Sequence, residues 1–232
     1  MQGVSVGLPE PYYERDGITI YHARCEEIIP HVAPSSVDLL LTDPPYGFKQ
    51  SMQIRPTRSA RDIGKSSNLP MIAGDDEPFD PSPLLAYKRV ILFGANHYAD
   101  RLPAVRSWLV WDKRNGATPD NNADAELLWT NIDGVIRTYH QCWRGFTREN
   151  DSLEPVVHVH PTQKPVNMMI WLLERYTKPG DLVFDPYMGS GPIAKACHLL
   201  GRRYIGVEIE KGYVLATVDR LQQSVMRLEI PA

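Results

Sequence analysis

The strand-like run Val37-Asp38-Leu39-Leu40-Leu41-Thr42 leads straight into Asp43-Pro44-Pro45-Tyr46-Gly47. The two prolines fix an extended backbone and carry no amide donors. The turn therefore presents a carboxylate (Asp43), a carbonyl (Pro44) and an aromatic face (Tyr46) at the carboxyl end of a strand. Ligands of open α/β sheets bind at that edge. The set suits an exocyclic amine on a planar base. Asp43 and the Pro44 carbonyl accept its two N–H hydrogens, while Tyr46 stacks on the ring. Accepting both hydrogens draws the nitrogen lone pair out of conjugation and aims it at an electrophile, so orientation and electrostatics carry the reaction. For a bare tetrapeptide, a rigid turn without chemistry is the alternative.

A second constellation is Asp185-Pro186-Tyr187-Met188-Gly189-Ser190-Gly191-Pro192, between a buried run and a helical pattern. Its glycines let the backbone turn sharply and approach a ligand, and Pro192 suits a first helical turn. Gly189-x-Gly191-x-x-Ala194 also fits a dinucleotide fingerprint, with Glu208 near the position of a ribose-binding carboxylate. Asp185 at the mouth of the loop disfavours a pyrophosphate and favours a cation. The stretch after Gly191 is also short for the rest of a nicotinamide domain, unless the order is permuted. S-adenosylmethionine offers an α-ammonium for Asp185 and ribose hydroxyls for Glu208, and its methyl group would be the electrophile for the amine. A tight turn with no ligand stays open on these residues alone.

The elements that must position these groups are short. Gly17–His22, Val37–Thr42, Arg89–Gly94, Trp108–Asp112, Leu182–Asp185 and Tyr204–Glu208 read as buried strands. Ile193, Ala196, Cys197 and Leu200 form one helical stripe; Val214, Val218, Leu221, Val225 and Leu228 form another. Strand, glycine turn, helix and strand in that order predict a βαβ unit and a parallel sheet, so the fold class is α/β. The chain of 232 residues, 43% hydrophobic and 23% charged, reads as a single domain over 1–232. No membrane span, secretory signal or metal site is expected, and the three isolated cysteines fit a reducing cytoplasm.

A net charge of −3 means that any nucleic-acid binding depends on local basic patches. One lies in the aperiodic stretch 47–80, which reads as a mobile loop following the first motif. Its first half, Lys49 to Lys65, sets Lys49, Arg55, Arg58, Arg61 and Lys65 against one acid, Asp62, and would contact phosphates; a solvated loop without a partner is the alternative. A second candidate is 113–154, a target-recognition insertion. There Arg144 and Arg148 would read or hold DNA, and Trp129, Tyr139 and Trp143 would wedge or stack where a base leaves. The competing reading makes these three aromatics core residues of a β extension. Asn96 and His97 should face the catalytic edge, in a role the sequence does not define.

Asp43-Pro44-Pro45-Tyr46, His160-Pro161-Thr162-Gln163-Lys164-Pro165 and Asp185-Pro186-Tyr187-Met188-Gly189-Ser190-Gly191, in that order, resemble the β-class DNA amino-methyltransferases of bacteria and phages. Phe93-Gly94-Ala95-Asn96-His97-Tyr98, with Trp108-Leu109-Val110-Trp111-Asp112-Lys113, resembles the phage-type adenine-specific members. The resemblance spans Gly17 to Leu221. It implies a Rossmann-like S-adenosylmethionine-dependent methyltransferase fold, with a seven-stranded, mostly parallel sheet, helices on both faces and a circularly permuted motif order. It also implies site-specific methylation of the N6 amine of an adenine flipped out of double-stranded DNA, since the amine is inaccessible inside the duplex. The aspartate form of the tetrapeptide mostly accompanies adenine and a serine form cytosine. N4 methylation of cytosine, or a catalytically silent DNA-binding homologue, are the alternatives.

Carried over residue by residue, Asp43, Pro44, Pro45 and Tyr46 would be catalytic. Asp185, Tyr187, Gly189, Ser190, Gly191 and Glu208 would hold the cofactor. His160, Thr162 and Lys164 would lie near its carboxylate, with Lys164 supplying the positive charge. The same resemblance implies a monomer or homodimer in the cytoplasm of a bacterial or phage-infected cell, solitary or within a restriction–modification system. Two departures stand out. Ala23-Arg24-Cys25 replaces a common Gly-Asp-Cys, removing the acid that would accept the cofactor adenine's amine, and Tyr187 replaces a phenylalanine.

Overall fold

The structure, a computed structural model, describes residues 8–47, 77–116, 123–144, 147–148 and 163–228. Strands β1 (Tyr13–Arg15) and β2 (Ile18–His22) form a hairpin whose turn, Asp16-Gly17, has both residues at positive φ. Helix α1 (Cys25–Ile28) and strands β3 (Leu39–Thr42), β4 (Val90–Leu92) and β5 (Trp108–Asp112) follow. Next come β6 (Ala125–Thr130), β7 (Arg137–His140) and a small ribbon of β8 (Trp143–Arg144) with β9 (Thr147–Arg148). The chain continues through α2 (Val166–Tyr176), β10 (Leu182–Asp185), α3 (Pro192–Leu200), β11 (Arg203–Glu208) and α4 (Lys211–Leu228).

Among the described residues the main sheet has nine strands, in the order β1-β2-β11-β10-β3-β4-β6-β5-β7. The resemblance implied seven. The two additions are the edges: β1, folded back antiparallel on β2, and β7, parallel to β5. Within the inner seven, β2, β11, β10, β3 and β4 run parallel, and β6 alone runs against its neighbours.

Alternation along the strands supplies two cores. Leu39, Leu41, Ile91 and Val183 face α2, α3 and α4, where Met169, Leu172, Ile193, Ala196, Val214 and Leu221 close the layer. Leu40, Val90, Leu92 and Phe184 face the other side, packing with Ile28 of α1 and with Phe79, Leu84, Tyr87 and Tyr98 from irregular segments. Helices were expected on both faces. Among the described residues, the second face carries the four-residue α1, short turns and the aromatics Phe79, Tyr87 and Tyr98.

Within the expected 113–154 insertion, β6 and β7 belong to the main sheet, with β6 between β4 and β5, while β8 and β9 form their own ribbon. Trp129 is buried with its indole N–H donating to the Pro103 carbonyl, and Trp143 is buried with its indole donating to the Gln163 carbonyl. Tyr139 packs against Trp171 of α2. Trp129 and Trp143 are core residues and Tyr139 packs half-buried against the core, as the competing reading expects. No helix of the described residues is long and apolar enough to cross a membrane.

Candidate active site

Strand β10 sits between β11 and β3, so the strand order reverses at its carboxyl end. Such a switch point opens a crevice at the sheet edge. The two constellations singled out above emerge there side by side. Thr42, the last residue of β3, donates its hydroxyl to Asp185 Oδ1 at 2.6 Å, and Asp43 is the next residue. Asp185 is fully buried and also accepts the Tyr204 hydroxyl (2.9 Å, Oδ2) and the Tyr187 amide (3.3 Å, Oδ1). Burial pushes its carboxyl up to about 7, against the pull of those three donors.

The glycine loop is held from the next strand. Glu208, ending β11, accepts the Gly189 amide at 2.8 Å on Oε2 and the Glu210 amide at 2.8 Å on Oε1. Burial raises its carboxyl while those amides restrain the rise. Gly191 caps α3 at φ +72, with Pro192 in the first turn. A Cβ at Gly191 would lie 2.3 Å from Thr217 Cγ2, whereas one at Gly189 would meet open space. Ser190 is buried and Tyr187 half-buried, its ring edge-on to Phe79. Arg24, where an acid was expected, is largely exposed and paired with Glu26 at 3.5 Å.

On the β3 side, Asp43 lies in a charged cluster that the sequence did not reveal. The Tyr46 hydroxyl donates to Asp43 Oδ1 at 2.5 Å, and Lys164 Nζ meets Asp43 Oδ2 at 2.7 Å. Glu126 of β6 joins both donors: its Oε1 is 3.0 Å from Lys164 Nζ and 3.3 Å from the Tyr46 hydroxyl, and its Oε2 takes Lys113 Nζ at 3.1 Å. Burial disfavours charge on Lys164, but Asp43 and Glu126 outweigh it and hold the ammonium above its ordinary value. Burial likewise raises Glu126, yet Lys164 and Lys113 bring its carboxyl below the usual range. Tyr46 is pushed well up by burial and by the two carboxylates. Its ring rests against Gly94 and tilts over His97, centroids 4.8 Å apart.

Lys164 is therefore placed against Asp43 and Glu126, with its charge matched by two carboxylates. His160 and Thr162 lie outside the described residues, as do Lys49, Arg55, Arg58, Arg61 and Lys65. Arg144 and Arg148 are described only as backbone in the β8–β9 ribbon. No group of three or more His, Cys, Asp or Glu among the described residues could hold a metal ion.

Residues 136–219, from the start of β7 into α4, match the DNA methylase family N6_N4_Mtase. The type II methyltransferases M2.LlaDCHI of Lactococcus lactis subsp. cremoris and M2.DpnII of Streptococcus pneumoniae are 22% and 21% identical to this chain, each over 93% of both chains. Among solved structures, the M1.HpyAVI–SAM complex aligns with a TM-score of 0.54 at 23% identity, over 88% of this chain and 99% of that one. The cytosine-N4-specific PvuII DNA methyltransferase aligns with a TM-score of 0.60 at 14% identity, over 90% of this chain and 88% of that one. The fold is that of the DNA methyltransferases. Together the likenesses support a DNA amino-methyltransferase. On this fold the sequence reading missed Glu126 and Lys113. The signal available was an acid, two residues after Asp124, opening an apolar run, with a lysine just past the Trp108–Asp112 strand. The hairpin pairing Trp111 with Glu126 brings the two together.

Proposed function

We propose that the protein transfers a methyl group from S-adenosylmethionine to the N6 amine of an adenine flipped out of double-stranded DNA. The observation that carries this reading is the 2.6 Å hydrogen bond from Thr42 to Asp185, which joins the amine-binding turn and the glycine loop at one crevice. The residues present suit that cofactor. Asp185 retains acceptor capacity for an ammonium, Glu208 lies beside the loop for ribose hydroxyls, and the space over Gly189 is open. When bound, S-adenosylmethionine supplies a sulfonium-activated methyl carbon, which the amine nitrogen takes with its lone pair while the electrons of the broken S–C bond stay on sulfur.

The chain's own part is orientation and charge. Asp43 and the Pro44 carbonyl accept the amine hydrogens, and the Asp43 carboxylate stabilises the positive charge that develops on nitrogen before its proton leaves. Pro45 stiffens the turn and Tyr46 offers the ring its stacking face. Thr162, His160 and Ser190 complete the cofactor's surroundings. Lys49, Arg55, Arg58, Arg61, Lys65, Arg144 and Arg148 supply the DNA contacts. The aspartate at 43 supports adenine over cytosine.

Two measurements test this. Calorimetry should detect S-adenosylmethionine and not NAD. Tritiated methyl transfer to unmethylated bacterial DNA should fall at least about a hundredfold in Asp43→Ala. Binding of NAD alone, or undiminished transfer by Asp43→Ala, contradicts the reading.

A further inference from the structure

Both oxygens of Asp43 already have donors: the Tyr46 hydroxyl on Oδ1 at 2.5 Å and the Lys164 ammonium on Oδ2 at 2.7 Å. An amine that arrives at Asp43 must displace one or both. A displaced donor left without an acceptor in this secluded site would carry a desolvation penalty, largest for the ammonium. The Lys164 and Glu126 side chains are only 10% and 11% exposed, so water is a poor substitute.

One atom already stands within reach of both donors. Glu126 Oε1 lies 3.0 Å from Lys164 Nζ and 3.3 Å from the Tyr46 hydroxyl. The carboxylate is anchored through its other oxygen, Oε2, to Lys113 at 3.1 Å, which leaves Oε1 facing the pair. Its place follows from topology: β6 runs against β4 and β5, so its first residues lie at the edge where the parallel strands end.

We propose that Glu126 is a positioning residue for amine capture: its Oε1 takes over the Lys164 ammonium and the Tyr46 hydroxyl as the target amine takes Asp43. The proposal rests on the amine transfer inferred above. Asp43, Glu126, Lys113 and Lys164 form a cluster of two carboxylates and two ammoniums. The exchange moves hydrogen bonds within that balanced set and brings no net charge into the site. It also frees the Tyr46 ring from its tie to Asp43, so that it can adjust against an incoming base.

The test is single-turnover transfer of tritiated methyl from saturating S-adenosylmethionine to unmethylated bacterial DNA, by wild type, E126Q and E126Q/K164M. Cofactor affinity and melting temperature are measured alongside. Glutamine keeps the size of Glu126 but lacks its charge and holds the ammonium far more weakly, so Lys164 stays on Asp43. The rate of E126Q should fall at least about tenfold, with cofactor affinity within about twofold of wild type. Removing the competing ammonium in E126Q/K164M should restore the rate at least about fivefold over E126Q, which a purely structural role for Glu126 would not do. An E126Q protein as fast as wild type, or a folded double variant no faster than E126Q, overturns the proposal. If E126Q does not fold, the charge-balanced double variant stands in its place. It should keep transfer within about tenfold of wild type, and a folded but inactive double variant overturns the proposal. A wild type that transfers no methyl group overturns instead the functional reading beneath it, and the first arm alone shows that.

Discussion

Asp185 is fully buried, with three donors on its carboxylate and a carboxyl raised to about 7 by burial. Because its folded value lies above the ordinary one, it takes up a proton on folding between about pH 4 and 7. The stability it contributes is present on the acid side and declines as the pH rises through about 7. A cofactor ammonium favours the ionised form, so the sign for binding is opposite: affinity for S-adenosylmethionine should rise as pH climbs through about 7. Calorimetry from about pH 5.5 to 8.5 should show wild-type affinity rising about tenfold relative to Asp185→Asn, the variant cancelling the cofactor's own titration. Parallel profiles would contradict it. Asp43, Asp185, Gly189 and Gly191 were legible in the sequence because each sits in a short motif whose spacing carries meaning. Glu126 was not, because a single acid means little until strand pairing brings it to Lys164, which lies in a separate part of the chain.

At the level of elements, the glycine after β4 shows how a turn sets a side chain. Gly94 has φ +62, and a Cβ there would fall 2.1 Å from Tyr46 Cζ. Gly94→Ala should cost about 1–3 kcal/mol from backbone strain and the displaced ring. Methyl transfer should fall more than about tenfold, while cofactor affinity stays within about twofold, because Gly94 lies on the amine side of the crevice. Equal losses of both would contradict that placement. Strands such as β5 and β10 could be read from their compact apolar runs, to the residue. β6 escaped because Ala125, Glu126, Leu127 and Leu128 are good helix formers, and only pairing with β4 and β5 makes them a strand. β7 escaped because three of its four residues are exposed, leaving no alternation to read.

Across the whole molecule, the proposed catalytic turn comes early in the chain and the proposed cofactor loop late, yet they meet because β3 and β10 are neighbours in the sheet. The resemblance carried by those motifs implied that permuted arrangement. The edge strands and the uneven covering of the two faces among the described residues were not legible, since both depend on how distant segments pack. With a net charge of −3, the proposed engagement of DNA would fall to local basic stretches such as Lys49–Lys65. The most direct measurement is mass analysis of nucleosides from plasmid DNA grown in methylation-deficient cells that express the protein. The prediction is N6-methyldeoxyadenosine with wild type and none with Asp43→Ala. DNA left unmodified by wild type, or carrying the same methylated base with Asp43→Ala, would contradict the account.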